Sequence, residues 1–317
     1  MRIYRSLEEA AGHFGPCALT IGNFDGVHAG HLAIVHRVVS EARARGWKAA
    51  ALTFDPHPTK VVAPSRAPAL LTTPETRCRL MAEAGLDQAL ILPFTRELCQ
   101  WSPQQFVKRI LVDSLHSRFV LVGDNFRFGH KAAGDVRLLA EMGRTYGFRV
   151  EHLPIVQIRG REVSSTEVRK LVQSGRIAWA NRLLARPFAL DGPVVRGHGI
   201  GSTQTVPTLN LAPETEVMPA AGVYVTMTVC LTTGRRWKSI TNAGVRPTFG
   251  GESFTVETFL LDPLEGGSPE RIRVEFLWRI REERKFADAA ALKAQILKDV
   301  GRARVYHQRW NRWVGDE

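Results

Sequence analysis

The residues with the clearest chemical potential lie between Gly22 and His31, in the segment GNFDGVHAGH. This segment follows an apolar run, Ala18 to Ile21, and precedes the periodic pattern of an amphipathic helix. A glycine-rich turn between a strand and a helix presents backbone N–H groups to an anion, and the helix dipole adds to the attraction. Two histidines in the spacing H-x-G-H can both face that anion, because the intervening glycine lets the backbone come close. The pattern predicts a nucleotide triphosphate as ligand; the alternative is a tight strand-to-helix turn with incidental histidines.

A second polar segment, FDPHP, follows the next predicted strand and carries Asp55 and His57. Its two prolines stiffen the turn and expose both side chains, which suits ligand contact but also describes an ordinary proline turn. A third segment, GDNFRFG from Gly123 to Gly129, follows a later strand. Its glycines let the backbone wrap a ligand, and its arginine can meet a phosphate. Its two phenylalanines can flank a flat ring, although aromatic residues beside a strand more often belong to the core.

The segment SSTEVR begins a predicted helix at Ser164. Ser164 and Glu167 have the spacing of a capping box, which by itself needs no further function. Arg169 lies one turn into the helix, where the helix dipole disfavours a cation. A phosphate bound at this helix terminus would compensate the arginine, so the segment is a candidate for binding the same nucleotide.

The second half of the chain carries a different set of polar residues. A glycine-rich stretch, VVRGHGIGS, leads to an extended segment in which Thr208 and Asn210 alternate onto one face. A hydroxyl and an amide oxygen are reasonable ligands for a Mg²⁺ ion that also holds phosphates. Further along, Glu257 lies within a β-rich run, where it is either a solvated strand residue or a general base.

The composition limits the classes of protein to which the chain can belong. The 317-residue chain is 44% hydrophobic and 23% charged, values typical of a globular, soluble protein of about two domains. Its net charge of +12 comes mostly from the first half and is dispersed, which favours small phosphorylated ligands over nucleic acid. No apolar run is long enough to span a membrane, and the N-terminus lacks the pattern of a signal peptide. Four scattered cysteines argue against a disulfide framework or zinc site and predict a cytoplasmic protein.

Strand-like and helix-like segments alternate in the first half, which predicts an α/β domain with a parallel sheet covered on both faces. Ligands of such sheets bind at the carboxyl ends of the strands, where each of the polar segments falls. The predicted strands cover Ala18–Ile21, Lys48–Phe54, Ala89–Leu92, Phe119–Val122 and Phe148–His152. The predicted helices cover Leu32–Arg45, Pro74–Ala84 and Asp135–Tyr146, with another that begins at a capping box after Ser102.

After residue 185 the pattern changes to short β-rich runs separated by Gly, Pro, Asn and Thr, which predicts a small antiparallel barrel. The runs are Val223–Val229, Phe254–Leu261 and Ile272–Trp278. Helical periodicity returns from Phe286 to Trp310, and a helical stretch, Glu167–Leu184, is expected to link two domains. The predicted domains are residues 1–185 and 186–317.

Taken together, these motifs resemble the prokaryotic bifunctional riboflavin kinase/FMN adenylyltransferases, also called FAD synthetases. The resemblance covers nearly the whole chain. GNFDGVHAGH, FDPHP, GDNFRFG and SSTEVR match the family's adenylyltransferase module, which belongs to the HxGH nucleotidyltransferases and has a Rossmann-like fold. VVRG, PTLN, TNAGVRPTFGG and VETFLLD correspond to motifs of its riboflavin kinase module, a six-stranded barrel with a terminal helix.

The resemblance implies two reactions: riboflavin and ATP give FMN in the barrel, and FMN and ATP give FAD and pyrophosphate in the α/β domain. For the second reaction it implies that His28, His31 and Arg169 are catalytic. The implied ATP-binding and phosphate-binding residues there are Gly22, Phe24, Asp25, Gly26, Ser164, Ser165 and Thr166. His57, Asn125 and Phe128 are implied to contact flavin. No side chain needs to act as a base, since the FMN phosphate is already an anion at neutral pH.

For the kinase reaction the resemblance implies that Glu257 accepts the proton of the riboflavin 5′-hydroxyl, with Mg²⁺ on Thr208 and Asn210. Gly197, Gly201 and Ser202 are implied to contact the ATP phosphates, and Arg281 the flavin phosphate, although a surface ion pair is the commoner fate of such an arginine. The implied ligands are therefore riboflavin, FMN, FAD, ATP and Mg²⁺, without a membrane or nucleic acid.

The kinase half departs from the family pattern at three places. The bacterial family usually has Gly-Arg and a later Gly where this chain has Gly201-Ser202 and Thr205, and it usually has His where this chain has Phe259. An adenylyltransferase with a weakened kinase domain is therefore the second hypothesis. A flavin-sensing or RNA-binding regulator is the third, although no base-stacking motif is evident.

Overall fold

The computed structural model describes residues 1–195, 208–248, 251–265 and 267–314, with the backbone alone at 246–248, 251–253 and 310–314. These residues form two compact units, Met1–Ser165 and Thr166–Glu317. The division into activities after residue 185 stays a prediction.

The first unit is built on a six-stranded parallel sheet with the order β1-β4-β3-β2-β5-β6. All five residues of β2 are buried, as expected for a strand that is covered on both faces. The predicted parallel sheet is thus confirmed. Its strands are β1 (Arg2–Tyr4), β2 (Cys17–Ile21), β3 (Lys48–Asp55), β4 (Gln88–Pro93), β5 (Ser117–Gly123) and β6 (Arg149–Leu153).

Helices pack on both faces of this sheet, and two separate apolar clusters fill the two layers. The helices of the unit are α1 (Leu7–Ala10), α2 (Ala29–Arg45), α3 (Pro58–Val62), α4 (Pro74–Glu83), α5 (Pro103–Phe106) and α6 (Val136–Tyr146). The predicted capping box is present, because Ser102 and Gln105 exchange side-chain and backbone hydrogen bonds. The helix continues beyond α5 as a π-helix, Val107–Ser114, and a short hairpin of β7 (Gln157–Ile158) and β8 (Arg161–Glu162) precedes the second unit.

The second unit is a closed antiparallel barrel with the strand order β10-β13-β12-β11-β14-β9, as predicted. Its strands are β9 (Phe188–Val195), β10 (Thr208–Leu211), β11 (Gly222–Cys230), β12 (Arg236–Thr248), β13 (Gly251–Leu260) and β14 (Arg271–Glu282). The sequence patterns missed β9 and β12, and the composition of β12 explains why. Ser239 and Thr241 are buried on its inner face, so polar side chains stand where an apolar residue would have revealed the alternation.

These inner hydroxyls satisfy one another. Thr226 Oγ1 lies 2.8 Å from Ser239 Oγ and 2.7 Å from Thr241 Oγ1, which in turn lies 2.9 Å from Thr258 Oγ1. A hydroxyl both donates and accepts, so a chain of hydroxyls can be buried without an unpaired group.

Three further helices belong to this unit: α7 (Ser165–Gln173), which starts at the boundary, α8 (Ile177–Leu184) and α9 (Ala289–Val314). The predicted continuous stretch from 167 to 184 is broken, because Gly175 adopts a φ of +72° between α7 and α8. The Asn181 side chain accepts from Phe188 N and donates to Phe276 O, which fastens α8 to β9 and β14. α9 begins later than predicted, since Asp288 accepts from Ala291 N and caps it. Within the described residues, no helix combines the length and apolar character needed to cross a membrane.

Candidate active sites

The order of the parallel sheet places two glycine-rich loops side by side. β2 and β5 are neighbours, although β3 and β4 lie between them in sequence, so the chain reverses its direction of growth across the sheet here. Thr20 pairs with Leu121; β2 ends at Ile21, just before Gly22, and β5 ends at Gly123. Ligands of open α/β sheets bind in the crevice at such a reversal. The predicted nucleotide segment and GDNFRFG therefore border the same crevice.

Asp25 turns its carboxylate inward and ties the loop Gly22–His28 to the segment before α4. It is 2% exposed and accepts hydrogen bonds from Leu71 N and Thr72 N at 3.0 Å, while Gly26 N donates to Thr72 Oγ1 at 2.9 Å. Gly22 N donates to Leu52 O at 3.1 Å. Asp25, Gly22 and Gly26 thus shape the loop through internal hydrogen bonds; phosphate contacts by these residues stay predictions.

The loop is also strained. Phe24 and Val27 adopt φ angles of +49° and +39°, in the left-handed region that β-branched residues such as valine rarely enter. The ring of Phe24 fills the space above Gly22, where a Cβ would approach it to 3.1 Å. Strain of this kind persists only where surrounding contacts enforce it and is common at functional sites.

His28 has two roles because it is the N-cap of α2. Its Nδ1 accepts the backbone N–H of His31 at 3.3 Å. An accepting Nδ1 carries no proton, so the neutral ring carries its proton on Nε2 and can donate it to a ligand. The rings of His28 and His31 stack with centroids 3.6 Å apart and planes 14° apart.

Gly30 makes room for the His28 ring. A Cβ at residue 30 would lie 3.2 Å from both Cε1 and Nδ1 of His28. A side chain at residue 30 would press on the ring of the first histidine, which refines the prediction that the glycine serves close backbone approach.

The SSTEVR segment meets this loop at Ser165. The Ser165 hydroxyl donates to Asp25 O at 2.8 Å, so this contact joins two segments that were predicted to share a site. The neighbouring Ser164 precedes it at the end of the first unit. Thr166 and Arg169 lie on α7 in the second unit, so their contact with phosphate stays a prediction.

His57 is more buried than its predicted ligand role requires. The residue is 8% exposed, its Nδ1 accepts from Thr59 N at 3.2 Å, and its Nε2 lies 3.1 Å from the side-chain amide of Asn23. These contacts make it the N-cap of α3 and connect FDPHP to the GNFDG loop. They support a structural contribution, and flavin contact by His57 stays a prediction.

In the GDNFRFG loop, Asn125 is exposed and Phe128 is 6% exposed. Phe128 packs against Phe126 and Phe106, with ring centroids 5.6 Å apart in both pairs. Its burial favours the core alternative that the sequence left open. Arg127 forms an exposed ion pair with Asp135 at 3.2 Å.

In the barrel, Asn210 and Glu257 lie directly opposite each other on β10 and β13. Side chains at directly opposed positions of an antiparallel pair are neighbours on one face. Thr208 shares that face two residues earlier, so the three predicted kinase residues lie on one face of the barrel. Asn242 of β12 flanks Glu257 on its other side and was missed, because the pattern did not reveal its strand.

Arg281 lies in a different environment from the one predicted. Its Nε donates to Asp299 at 2.8 Å, and the Asp299 side chain is 2% exposed, so the pair fastens α9 to β14. This contact favours the ion-pair alternative over flavin binding. Gly197, Gly201 and Ser202, predicted to contact ATP, lie outside the described residues.

Comparison with known proteins gives a consistent result for both halves. A family model described as FAD synthetase matches residues 11–167, and one described as riboflavin kinase matches residues 184–307. A bifunctional riboflavin kinase/FMN adenylyltransferase of Escherichia coli K12 is 38% identical over 291 residues, which cover 92% of each chain. The chain belongs to the family of bifunctional riboflavin kinase/FMN adenylyltransferases. Another riboflavin kinase/FMN adenylyltransferase, from Pseudomonas fluorescens, is 37% identical over 96% of this chain and 97% of its own.

The same fold also appears among solved structures. A crystal structure titled as a macrolide-efflux protein from Streptococcus pneumoniae superposes with a TM-score of 0.83, covering 95% of this chain and 98% of its own. Its sequence is 24% identical, so the likeness shows the fold alone.

Proposed function

We propose that this chain catalyses both reactions named by its family: phosphorylation of riboflavin to FMN by ATP, and adenylylation of FMN to FAD with release of pyrophosphate. The observation that carries the proposal is the match of the two halves to an FAD synthetase and a riboflavin kinase family model, in that order. The cytoplasm is the proposed location, because both reactions consume ATP and the four cysteines, all described, are free thiols.

In adenylyl transfer, an oxygen of the FMN phosphate attacks the α-phosphorus of ATP, and pyrophosphate leaves. The FMN phosphate is already ionised, so alignment and charge stabilisation are the main requirements. We assign the Nε2–H of His28 to the α-phosphate, where its fixed direction stabilises the charge that develops. His31 supports it through the stacked ring, and Ser164, Ser165, Thr166 and Arg169 are assigned to the departing phosphates.

In the kinase reaction, the 5′-hydroxyl oxygen of riboflavin attacks the γ-phosphorus of ATP, and ADP leaves. A neutral hydroxyl is a poor nucleophile, so Glu257 is assigned as the base that takes its proton. Asn210 beside it and Thr208 on the same face offer amide and hydroxyl oxygens, donor types that fit Mg²⁺. When bound, Mg²⁺ would neutralise charge on the ATP phosphates.

Supplying riboflavin, ATP and Mg²⁺ and following FMN and FAD by chromatography tests both steps. The formation of FMN and then of FAD supports the proposal. The proposal is refuted if riboflavin yields no FMN and supplied FMN yields no FAD.

An adenylyltransferase with a weak kinase remains the second candidate, and Phe259 favours it. Its position lies opposite Thr208 across β10 and β13, and its ring packs with the apolar cluster next to α9. An apolar ring there replaces the family's usual histidine near the proposed metal site. FAD from supplied FMN, without FMN from riboflavin, would select this candidate.

A further inference from the structure

A fully buried arginine lies behind the nucleotide loop of the first unit. Arg77 belongs to α4, is 0% exposed, and has its guanidinium among Asn23, Thr53 and Asp25. A buried arginine costs folding free energy unless its charge and hydrogen bonds are used. Packing alone therefore does not explain why an arginine occupies this buried position.

The main contact of Arg77 is to the loop backbone. Its Nη1 donates to Asn23 O at 2.8 Å and to Thr53 Oγ1 at 3.4 Å, and Thr53 Oγ1 itself donates to Asn23 O at 3.3 Å. Two side chains from different elements thus hold one carbonyl of the loop that leads to His28. Hydrogen bonds from a charged donor are stronger than those between neutral groups.

The other nitrogens of the guanidinium lack comparable hydrogen bonds among the described residues. Nε and Nη2 have no hydrogen-bond partner within the part of the chain that the structure describes. Burial lowers the pKa of Arg77, and the charges of Asp25 and Asp55 oppose that effect. Asp25 is already hydrogen-bonded to Leu71 and Thr72, so Arg77 is held by charge rather than by a direct ion pair within the described residues.

A purely structural side chain at this place would be expected to be apolar. Cys78 and Met81 of the same helix, next to Arg77 and one turn beyond it, are buried in the apolar cluster of this layer. Replacing buried charged groups by apolar side chains of similar size is often neutral or stabilising. The loop it holds is strained at Phe24 and Val27, and a strained loop needs external contacts to keep its conformation.

We propose that Arg77 is a positioning residue of adenylyl transfer, which fixes the Asn23 carbonyl and thereby the direction in which His28 presents Nε2–H to the nucleotide. The inference rests on the proposed function of this unit. The inference adds Arg77 to the residues assigned to adenylyl transfer. Arg77 lies 46 positions beyond His31 in sequence and is proposed to act through the loop rather than by contact with substrate.

The test compares Arg77→Met, Arg77→Lys and the control Arg79→Met in the full-length protein. Arg79 lies on the same helix and pairs with Glu83 at the surface. Misplacement of a catalytic group by about 1 Å can cost about 100-fold in rate, so we expect Arg77→Met to lower kcat for FAD formation at least about tenfold. Lysine restores one charged donor and should recover part of that loss, whereas Arg79→Met should match the original protein.

Two measurements distinguish a positioning role of Arg77 from a merely structural role. Riboflavin phosphorylation by the same preparation should be unchanged, and circular dichroism should show a folded protein at the assay temperature. A folded Arg77→Met with the original kcat and KM for FMN overturns the proposal. If the original protein itself makes no FAD from FMN, the proposed function fails instead.

A second pair of variants keeps the proposal testable if Arg77→Met does not fold. Thr53→Val removes the other donor to Asn23 O, and Thr20→Val makes the same change on the neighbouring strand, where Oγ1 is buried without a hydrogen-bond partner among the described residues. Thr53→Val should lower kcat for FAD formation, and Thr20→Val should not. Equal kcat values for these two variants contradict the inference.

Discussion

Single residues at the proposed adenylyl-transfer site contribute to the fold as well as to the proposed chemistry. The His28 side chain caps the start of α2 with Nδ1, and its Nε2–H is the donor that we assign to the nucleotide. The same ring lies over Gly30, and the buried carboxylate of Asp25 organises the loop that carries the ring. Substitutions here must therefore be chosen so that the two contributions separate.

The variants His28→Asn and His28→Ala separate them. Asparagine is a good N-cap and should keep the melting temperature close to that of the original protein, while alanine should cost about 1 kcal/mol of unfolding free energy. Neither residue has the Nε2–H donor, so both variants should lose FAD formation by about 100-fold or more. Thermal unfolding and the rate of FAD formation from FMN measure the two effects. An active His28→Asn would show that the histidine acts only as a cap.

Glu257→Gln tests the base of the kinase reaction. Glutamine has nearly the same shape but cannot accept the hydroxyl proton, so FMN formation should fall by about 100-fold to 10,000-fold. FAD formation from supplied FMN should be unchanged. Glu265→Gln, at an exposed glutamate paired with Arg235, is the matched control. If Glu257→Gln retains kinase activity, the glutamate is not the base, and the alternative of a solvated strand residue is correct.

Residue types and spacing predicted the parts of the sites that are contiguous in sequence. GNFDGVHAGH contains the N-cap of α2, the two stacked rings and the small residue between them. Its spacing alone was therefore enough to predict a nucleotide-binding loop. Arg77 and Thr72 approach the same loop from elsewhere, and no sequence spacing connects them to it. A usable signal did exist for Arg77: an arginine among the buried residues of an amphipathic helix must have a partner. Arg281 shows the converse, because residue type alone could not reveal its bond to Asp299.

At the scale of elements, α2 is fastened to the edge of the sheet by a charged network. Glu41 of α2 is 8% exposed and contacts Arg37 at 3.0 Å and Arg149 of β6 at 2.7 Å. Burial raises the pKa of Glu41, but the hydrogen bond from Arg37 and the charges of its arginine neighbours outweigh burial and hold the pKa below its ordinary value. The helix whose N-cap is His28 is thus anchored electrostatically near its C-terminal end.

This network makes the stability of the first unit depend on acid pH. Because the folded pKa of Glu41 is lowered, its contribution is present above the unfolded value of about 4.3 and is lost as pH falls through the folded value. The unfolding free energy of the original protein should therefore fall between about pH 5 and about pH 3 more steeply than that of Glu41→Gln. Denaturant unfolding across this range measures the difference.

Glu83→Gln, at an exposed glutamate paired with Arg79, is the control and should keep the original pH dependence. Identical slopes for Glu41→Gln and the original protein would contradict the expectation. High salt should reduce the effect, since the arginine partners are partly exposed.

Elements were predictable where each strand buries apolar residues, and less so where other groups fill the interior. The strands β2, β3, β4 and β5 were predictable from their apolar runs, whereas the three-residue β1, with one buried residue, was missed. β12 was missed because hydroxyls line its buried face, and the break between α7 and α8 depends on the φ angle of one glycine.

At the scale of the whole molecule, the two compact units meet in sequence at Ser165 and Thr166, before the helices that the sequence placed with the first domain. α8 buries Ile177, Ala180 and Leu183, and its Asn181 bonds to two barrel strands. The barrel therefore includes these helices in its own fold.

A fragment of residues 166–317 should be more stable than one of residues 186–317. The shorter fragment exposes the apolar surface beneath α8 and leaves Phe188 N and Phe276 O without the Asn181 amide, so it should unfold at lower temperature. Thermal unfolding of both purified fragments, with riboflavin phosphorylation as the activity readout, checks this. Equal melting temperatures would support the boundary at residue 185 as a folding boundary as well.

Barrel closure has a consequence for the order of events during synthesis on the ribosome. The parallel sheet is complete once Leu153 has been made, whereas the barrel closes by pairing β9, its first strand, with β14, which ends at Glu282. Pairings between segments distant in sequence form late, and domains made first generally fold first. The sheet of the first unit can therefore fold on the ribosome before the barrel of the second unit is able to close.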